Sequence, residues 1–294
     1  MLEGIRIIEL EGLGPGPFAA MMLADLGADV IVVHRPSSSV PSMPEQNIID
    51  RGKRSIVLDL KNKDDLTNMK KLIATADGLI EGFRPGVMEG LGLGPEVILK
   101  NHPGLVYGRM TGWGQNGPKA KDAGHDLNYI ALSGALWYAS SAGTPPFTPP
   151  TLAGDIGGGA LYLVAGILAG LLRAQNTGKG TVIDAAIVDG SAHMMNLLMS
   201  TQAAGLLSPN RGESFLDGPP WSRCYACADD EWVSVQCLEP KFYAVFIEKL
   251  DLKNDPDFNQ QMDQSVWPKM TARLEQLFSQ YPLKHWQELF ENSD

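Results

Sequence analysis

Acid–base chemistry takes groups that titrate near the working pH and stand in a protected setting. His125 lies in Gly124-His125-Asp126-Leu127-Asn128-Tyr129 and is the one of five histidines set among small and polar residues after a long loop. An imidazole titrates near neutral pH and can take or give a proton, and Asp126 or another carboxylate could fix its tautomer. The plainer alternative is a histidine satisfied by local hydrogen bonds. Asp155 lies in Gly154-Asp155-Ile156-Gly157-Gly158-Gly159, ahead of a long apolar run. Aspartate is a preferred helix N-cap, yet a cap needs no run of glycines behind it, whereas a ligand oxygen approaching backbone N–H groups does. A helix start there would also stabilise a developing oxyanion. Glu239, in Leu238-Glu239-Pro240-Lys241-Phe242-Tyr243, could orient an imidazole or simply cap a surface helix.

A second set of residues suits an anion. Arg35, Arg51, Lys53, Arg54, Lys61 and Lys63 fall in one short stretch, and Arg84 follows a later strand. A multiply phosphorylated ligand calls for Lys and Arg on loops at strand ends; solvated surface charge is the alternative. Gly12, Gly14 and Gly16 resemble a dinucleotide turn, but Pro17 stands where the third glycine belongs. The second strand ends in His34-Arg35, not in an acid for a ribose hydroxyl. NAD and FAD are therefore not expected. The glycines instead let a helix start close to the sheet or let backbone N–H groups reach another ligand. Cys224-Tyr-Ala-Cys227 with Cys237 lies in a hairpin pattern and reads as structural, with neither a zinc site nor a redox pair expected.

The elements that must hold these groups alternate. Ile5–Leu10 reads as a strand, Phe18–Leu26 as a helix and Val30–His34 as the next strand. Ser55–Leu60, Lys63–Ala76, Gly78–Glu81, Pro95–Asn101 and Leu105–Thr111 continue the strand–helix alternation. This pattern predicts a doubly wound parallel sheet in an α/β domain. Gly124–Ala135 and Gly158–Ala174 read as helices, Thr181–Ile187 as a strand and Asp189–Ala204 as a helix. The large domain is expected over residues 1–204 and a polar linker over 205–220. A smaller α+β domain over 221–294 begins with a hairpin, Cys224–Ala228 and Trp232–Cys237. Met194, Met195 and Met199 recur at helical spacing, either as plain core or as an apolar ligand surface.

Composition narrows the function classes. With 294 residues, 44% of them apolar, the chain has enough material for two domains with cores. A net charge of −10 argues against a general nucleic-acid binder and against a polybasic membrane-surface protein. Met1-Leu2-Glu3-Gly4 runs straight into a strand pattern, so no leader is expected. The uncharged run Ile156–Leu172 is short for a membrane span and reads as a buried helix. A cytoplasmic location is expected, or an organelle matrix where the host has one.

With these residues in place, the sequence resembles the class III CoA-transferase superfamily, and within it the alpha-methylacyl-CoA racemase branch. The likeness runs from Ile5 to about Phe290. It rests on Gly12-Leu-Gly-Pro-Gly-Pro17, Leu26-Gly-Ala-Asp-Val30, Glu81-Gly-Phe-Arg-Pro-Gly86, Arg109-Met-Thr-Gly-Trp-Gly-Gln115, the His125 and Asp155 stretches, and Leu238-Glu-Pro-Lys-Phe-Tyr243. The resemblance implies a Rossmann-like CoA-binding large domain. It makes His125 and Asp155 the two catalytic bases and Glu239 a support for the histidine. CoA contacts are implied around Arg35, Arg51, Arg54, Lys61 and Tyr129, with Arg84 and Asp126 counted among them. It also implies an interlocked homodimer whose active site lies between chains, Glu239 coming from the partner. The family's C-terminal segment, which returns to the large domain, is expected to be missing from this sequence.

The implied reaction is a 1,1-proton transfer at the α-carbon of a 2-methylacyl-CoA thioester through an enolate. His125 would work on one face and Asp155 on the other, with no metal or further cofactor, since coenzyme A is part of the substrate. Asp155 must then hold a proton part of the time, which predicts a raised pKa from burial. Two rivals stand beside this reading. In one, Asp155 is the nucleophile of an acyl-CoA:carboxylate CoA-transferase. In the other, the protein binds CoA esters without catalysis.

Overall fold

The inner strands of the first half are mostly apolar and buried, as strands of a parallel sheet covered by helices on each face must be. In the computed structural model, which describes residues 1–36 and 47–293, the strands form one six-stranded sheet. Its strands are β1 (Arg6–Leu10), β2 (Asp29–His34), β3 (Lys53–Val57), β4 (Gly78–Glu81), β5 (Val106–Thr111) and β6 (Thr181–Ala186). All neighbours run parallel, in the order β3-β2-β1-β4-β5-β6. The chain builds outward from β1 to β3, then crosses back to lay β4, β5 and β6 on the other side. Ile7 is thus registered with Val30 on one side and Gly78 on the other. A doubly wound sheet opens a crevice at the carboxyl ends of its strands where this reversal occurs.

Successive residues of β1 feed opposite layers. Ile7 packs with α1 (Pro15–Asp25) and α6 (Leu161–Thr177), through Ala19, Ala20, Leu23, Leu163 and Ile167. Ile8 and Leu10 pack with α2 (Lys63–Ile73), α3 (Val87–Gly90) and α4 (Pro95–Asn101), through Met69, Ile73, Met88 and Ile98. The chain divides into two compact units. The first comprises Met1–Ala139 with Phe147–Asn196, and the second Ser140–Pro146 with Leu197–Asp294.

Several boundaries differ from expectation, each for a local reason. Helix α1 starts at Pro15 rather than near Phe18: Gly14 takes a positive φ of 66°, open to glycine at little cost, and proline suits the first helical position. The helix expected over Gly158–Ala174 is instead a π-helical segment, Leu152–Ala160, running into α6. Leu152–Thr177 is apolar enough to cross a bilayer by length and composition. Even so, Leu163, Val164, Ile167 and Leu171 are buried in the core. The last helix of the first half breaks into α7 (Ile187–Met194) and α8 (Asn196–Ala203), and the helix expected over Gly124–Ala135 is the shorter α5 (Asp126–Ser133).

The second unit holds the hairpin of β7 (Ser222–Ala226) and β8 (Trp232–Gln236), with α9 (Pro240–Lys249), α10 (Trp267–Phe278) and α11 (Leu283–Phe290). Its core is aromatic, built on Trp221, Tyr225, Phe258, Trp267, Phe278 and Trp286. Cys224 is exposed on β7, while Cys227 and Cys237 are buried, so the C-x-x-C spacing falls on a strand and its exit, not on a helix start.

Two buried ion clusters tie the layers together. Lys53 Nζ reaches Glu9 at 2.7 Å and the Pro17 carbonyl at 2.9 Å, with the Lys53 and Glu9 side chains 1% and 2% exposed. Burial pushes the Glu9 carboxyl up, and Lys53 opposes that shift. Across the β4–β5 ladder, Arg109 pairs with Glu81 at 2.8 Å and with Glu89 of α3 at 2.8 Å. Lys53, read from sequence as part of an anion-binding patch, is therefore spent inside the fold, because its strand position leaves Glu9 otherwise uncompensated. Removing one partner of a buried pair leaves a lone buried charge. Lys53→Ala should lower stability by about 3–5 kcal/mol in urea denaturation, and a loss below about 1 kcal/mol would show that the pair is dispensable.

Candidate active site

The reversal between β1 and β4 places a cavity of about 360 Å3 at the carboxyl ends of β1, β4 and β5. It is bordered by Leu10, Ile80, Met110, the Gly12–Pro17 turn, Tyr129 and Ile187, and by both His125 and Asp155. Two residues 30 positions apart in sequence thus face one space. Each arrives on a different element. His125 is the exposed N-cap residue of α5, in extended conformation, with its backbone N–H donating to Asn128 Oδ1 at 3.0 Å. Asp155 projects from the π-helical segment, a winding that recurs at functional sites. Its carboxyl is half-buried near Gly14, whose Cβ position lies 3.8 Å from Oδ2.

Asp155 does not cap its own helix. The cap comes from Asp126, the first residue of α5, whose Oδ1 accepts hydrogen bonds from the N–H groups of Gly154 at 2.9 Å and Asp155 at 2.8 Å. Asp126 is buried. Its carboxylate, expected among the CoA contacts or on the imidazole, is turned onto backbone instead, because a carboxylate this deep needs donors. The same bonds correct a second expectation: two of the amides thought free to receive an anionic oxygen near Asp155 already have an acceptor.

The electrostatics follow from that packing. Burial pushes the Asp155 carboxyl up to about 6, the like charge of Asp126 adds to the rise, and His125 opposes it. Such a group exists in both protonation states near neutral pH. Tyr129 is raised too, by burial and then by Asp155. Its hydroxyl donates to the Gly124 carbonyl, and its ring meets Trp113 edge to face at 4.7 Å.

The basic residues separate into two groups. Arg35 and Lys61 border a neighbouring cavity of about 330 Å3 that shares Leu10 with the first and is lined by Leu58, Leu60 and Phe83. Arg35 keeps a loose contact to Glu11, 3.4 Å from Nε. Arg51 and Arg54, expected beside them, pair with Asp25 at the end of α1 and Asp29 at the start of β2. Those partners mark the amino-terminal edge of the sheet, opposite the cavities. Arg84 is exposed beyond β4 and borders neither cavity. Glu239 belongs to the second unit, where it is the exposed N-cap residue of α9. A larger space of about 720 Å3 in that unit, bordered by Glu213, Arg223 and Glu275, holds none of the residues singled out from sequence. Ile80, Met110 and Ile187 were not singled out, although the ends of β1, β4 and β5 are where a doubly wound sheet receives ligands.

This geometry can be set against known proteins. The family model for CoA-transferase family III matches residues 2–294. The chain belongs to that family. It is 41% identical to alpha-methylacyl-CoA racemase of Mus musculus and 42% identical to that of Homo sapiens, each match covering all of this chain and 76% of the relative. A crystal structure of a CAIB/BAIF family protein from Brucella suis superposes with a TM-score of 0.81 at 28% identity. That match covers 98% of this chain and 80% of the other. The family's α/β fold with its six-stranded parallel sheet is the one described above.

The raised Asp155 carboxyl has a consequence for stability. Its native pKa of about 6 lies above the ordinary 3.8. The folded chain therefore holds more protons than the unfolded one between those values, and its stability falls as pH rises through that window. Asp155→Asn removes the effect. The variant should match the wild type near pH 4 and exceed it by about 1 kcal/mol at pH 7, a figure reduced for the half-exposed setting. Denaturant midpoints across that range test this; an offset constant with pH would contradict it.

Proposed function

We propose that this protein is an isomerase of 2-methylacyl-CoA thioesters, inverting the α-carbon by a 1,1-proton transfer through an enolate. One observation carries the reading: His125 and Asp155 border a single cavity, and Asp155 is held where it can be an acid or a base. Inversion needs one group to remove the proton from one face and another to return it on the other. The His125 imidazole takes the proton from one epimer while protonated Asp155 delivers one to the opposite face, and the reverse reaction exchanges the roles. The enolate oxygen needs donors as its charge grows. With Gly154 and Asp155 N–H already committed, the first-turn amides of α5, at the positive end of that helix, are the best placed to serve. Arg35 and Lys61 would receive the phosphates of coenzyme A in the neighbouring cavity, whose apolar lining suits the nucleoside. Similarity to the mouse and human racemases over the whole chain supports the same reading.

The family's name keeps one other chemistry in view. As a CoA-transferase, the enzyme would use Asp155 as nucleophile on the thioester carbonyl, releasing CoA thiolate and forming an acyl-aspartyl anhydride. That reaction requires a carboxylate acceptor, and racemisation does not. Incubating one epimer of a 2-methylacyl-CoA with the protein in D2O should bring deuterium to the α-carbon with loss of configuration and no added acid. His125→Ala and Asp155→Ala should each lower the rate by about 100-fold or more. Transfer of CoA to an added carboxylate, with no deuterium entering the α-carbon, would favour the transferase. Binding without exchange over a range of acyl chains would leave a CoA-ester-binding protein.

We further propose an interlocked homodimer acting in the cytoplasm, with the Glu239 of one copy supporting the His125 of the other. The 1–204 region would form the CoA-binding body and 221–294 the smaller domain. Leu132 of α5, Leu161 and Leu172 of α6 and Val182 of β6 are exposed apolar side chains in the first unit, of the kind a partner covers. Sedimentation equilibrium should give twice the chain mass, and a monomer retaining full exchange activity would refute the arrangement.

A further inference from the structure

His125 and Asp126 are neighbours in sequence but work in opposite directions. His125 ends the loop before α5 and borders the cavity, whereas Asp126 begins the helix and is 7% exposed. The Asp126 carboxylate meets two backbone N–H groups, those of Gly154 and Asp155, at 2.9 and 2.8 Å, from a segment 28 and 29 residues further along. The fit leaves no room for another residue at 154. A Cβ on Gly154 would stand 2.5 Å from Asp126 Oδ1 and 3.0 Å from Ile130 Cγ2. Two chain segments are therefore joined at the point from which the two cavity-facing acid–base groups leave.

We infer that Asp126 is a positioning residue, whose carboxylate ties the backbone at Asp155 to the first turn of α5 and so sets where the Asp155 carboxyl stands against the His125 ring. The inference deepens the proposed function and rests on it for its catalytic consequence, though the clamp itself exists without substrate. Asp126 has two separable effects. Its oxygen holds geometry through the paired hydrogen bonds. Its charge acts on Asp155 from close range, alongside burial, while His125 acts in the opposite sense. The other ionisable group on α5 that couples to Asp155 is Tyr129. The residues that α1, β5 and α7 press against the glycines of this segment, Pro15, Met110, Ile187, Ser191 and Met194, are uncharged.

Asp126→Asn keeps an oxygen that can accept both N–H groups and removes the charge; Asp126→Ala removes both. Two measurements on the full chain separate these effects. In ligand-free protein labelled with 13C at aspartate carboxyls, the Asp155 signal is assigned by its loss in Asp155→Asn. It should titrate near 6 in the wild type and about one unit lower in Asp126→Asn. In the deuterium exchange assay, run on the epimer that Asp155 deprotonates, the acid limb of the pH–rate profile should move down with that titration in Asp126→Asn, with kcat at its optimum within about fivefold of wild type. Asp126→Ala should lose about 100-fold in kcat with KM within about threefold, the signature of misplaced reacting groups. An Asp126→Ala kcat close to wild type would overturn the inference, as would a loss carried by KM, which would make Asp126 a substrate contact. If the wild type exchanges no α-proton, the proposed function fails, and the ligand-free titration still decides whether Asp126 governs Asp155.

Discussion

One carboxylate oxygen accepts two backbone amides, and the candidate site is arranged around that junction. Asp126 Oδ1 receives Gly154 and Asp155 N–H, linking the helix that carries His125 to the segment that carries Asp155. Neither end would be stable alone. A buried carboxylate without donors is costly, and so are buried amides without acceptors. Each cost is relieved only when the other partner is in place. The requirement for glycine at 154 follows, since any side chain would occupy the space of the oxygen. So does the like-charge contribution that helps hold Asp155 near neutral-pH titration.

The sheet provides the platform. Its order, β3-β2-β1-β4-β5-β6, opens the crevice beside β1, and buried ion pairs brace the surrounding turns. Lys53 links Glu9 to the first turn of α1, which lines the same cavity as Asp155. Arg109 links β5, β4 and α3. These charges are too deep to greet a ligand. Their value lies in orientation: each satisfies several acceptors at once, and a shift of either strand would strand a charge. The cations left near the crevice, Arg35 and Lys61, border a cavity adjoining the acid–base pair, so a long ligand with an anionic end and a reactive end finds complementary surfaces in sequence along the sheet edge.

A family whose members do different chemistry on CoA thioesters needs a local feature to choose among reactions. Here the candidate for that feature is an aspartate and a histidine that border one cavity. A nucleophilic aspartate has no need of a facing imidazole, whereas inversion at carbon needs two proton carriers. Burial raises Asp155 to about 6, which suits the proposed role, because a carboxyl that stays fully ionised at neutral pH is a poor acid.

Much of this was legible in the chain itself. Apolar runs separated by amphipathic stretches determined the doubly wound sheet, since a strand covered on both faces admits few other sequences. The glycines around Asp155 and the setting of His125 marked the residues that now share a cavity. The basic stretch misled, because Arg51, Lys53 and Arg54 read alike in sequence, and only the fold shows Lys53 buried on Glu9 and the arginines paired at the far edge of the sheet. Asp126 misled in the same way. Its direction depends on a contact with residues 28 and 29 positions away, which no local pattern encodes. Residue type and period determined which elements form and which groups can carry protons. Tertiary structure decided which charges are spent on the fold and which face the cavity, because that depends on what each side chain meets across the sheet.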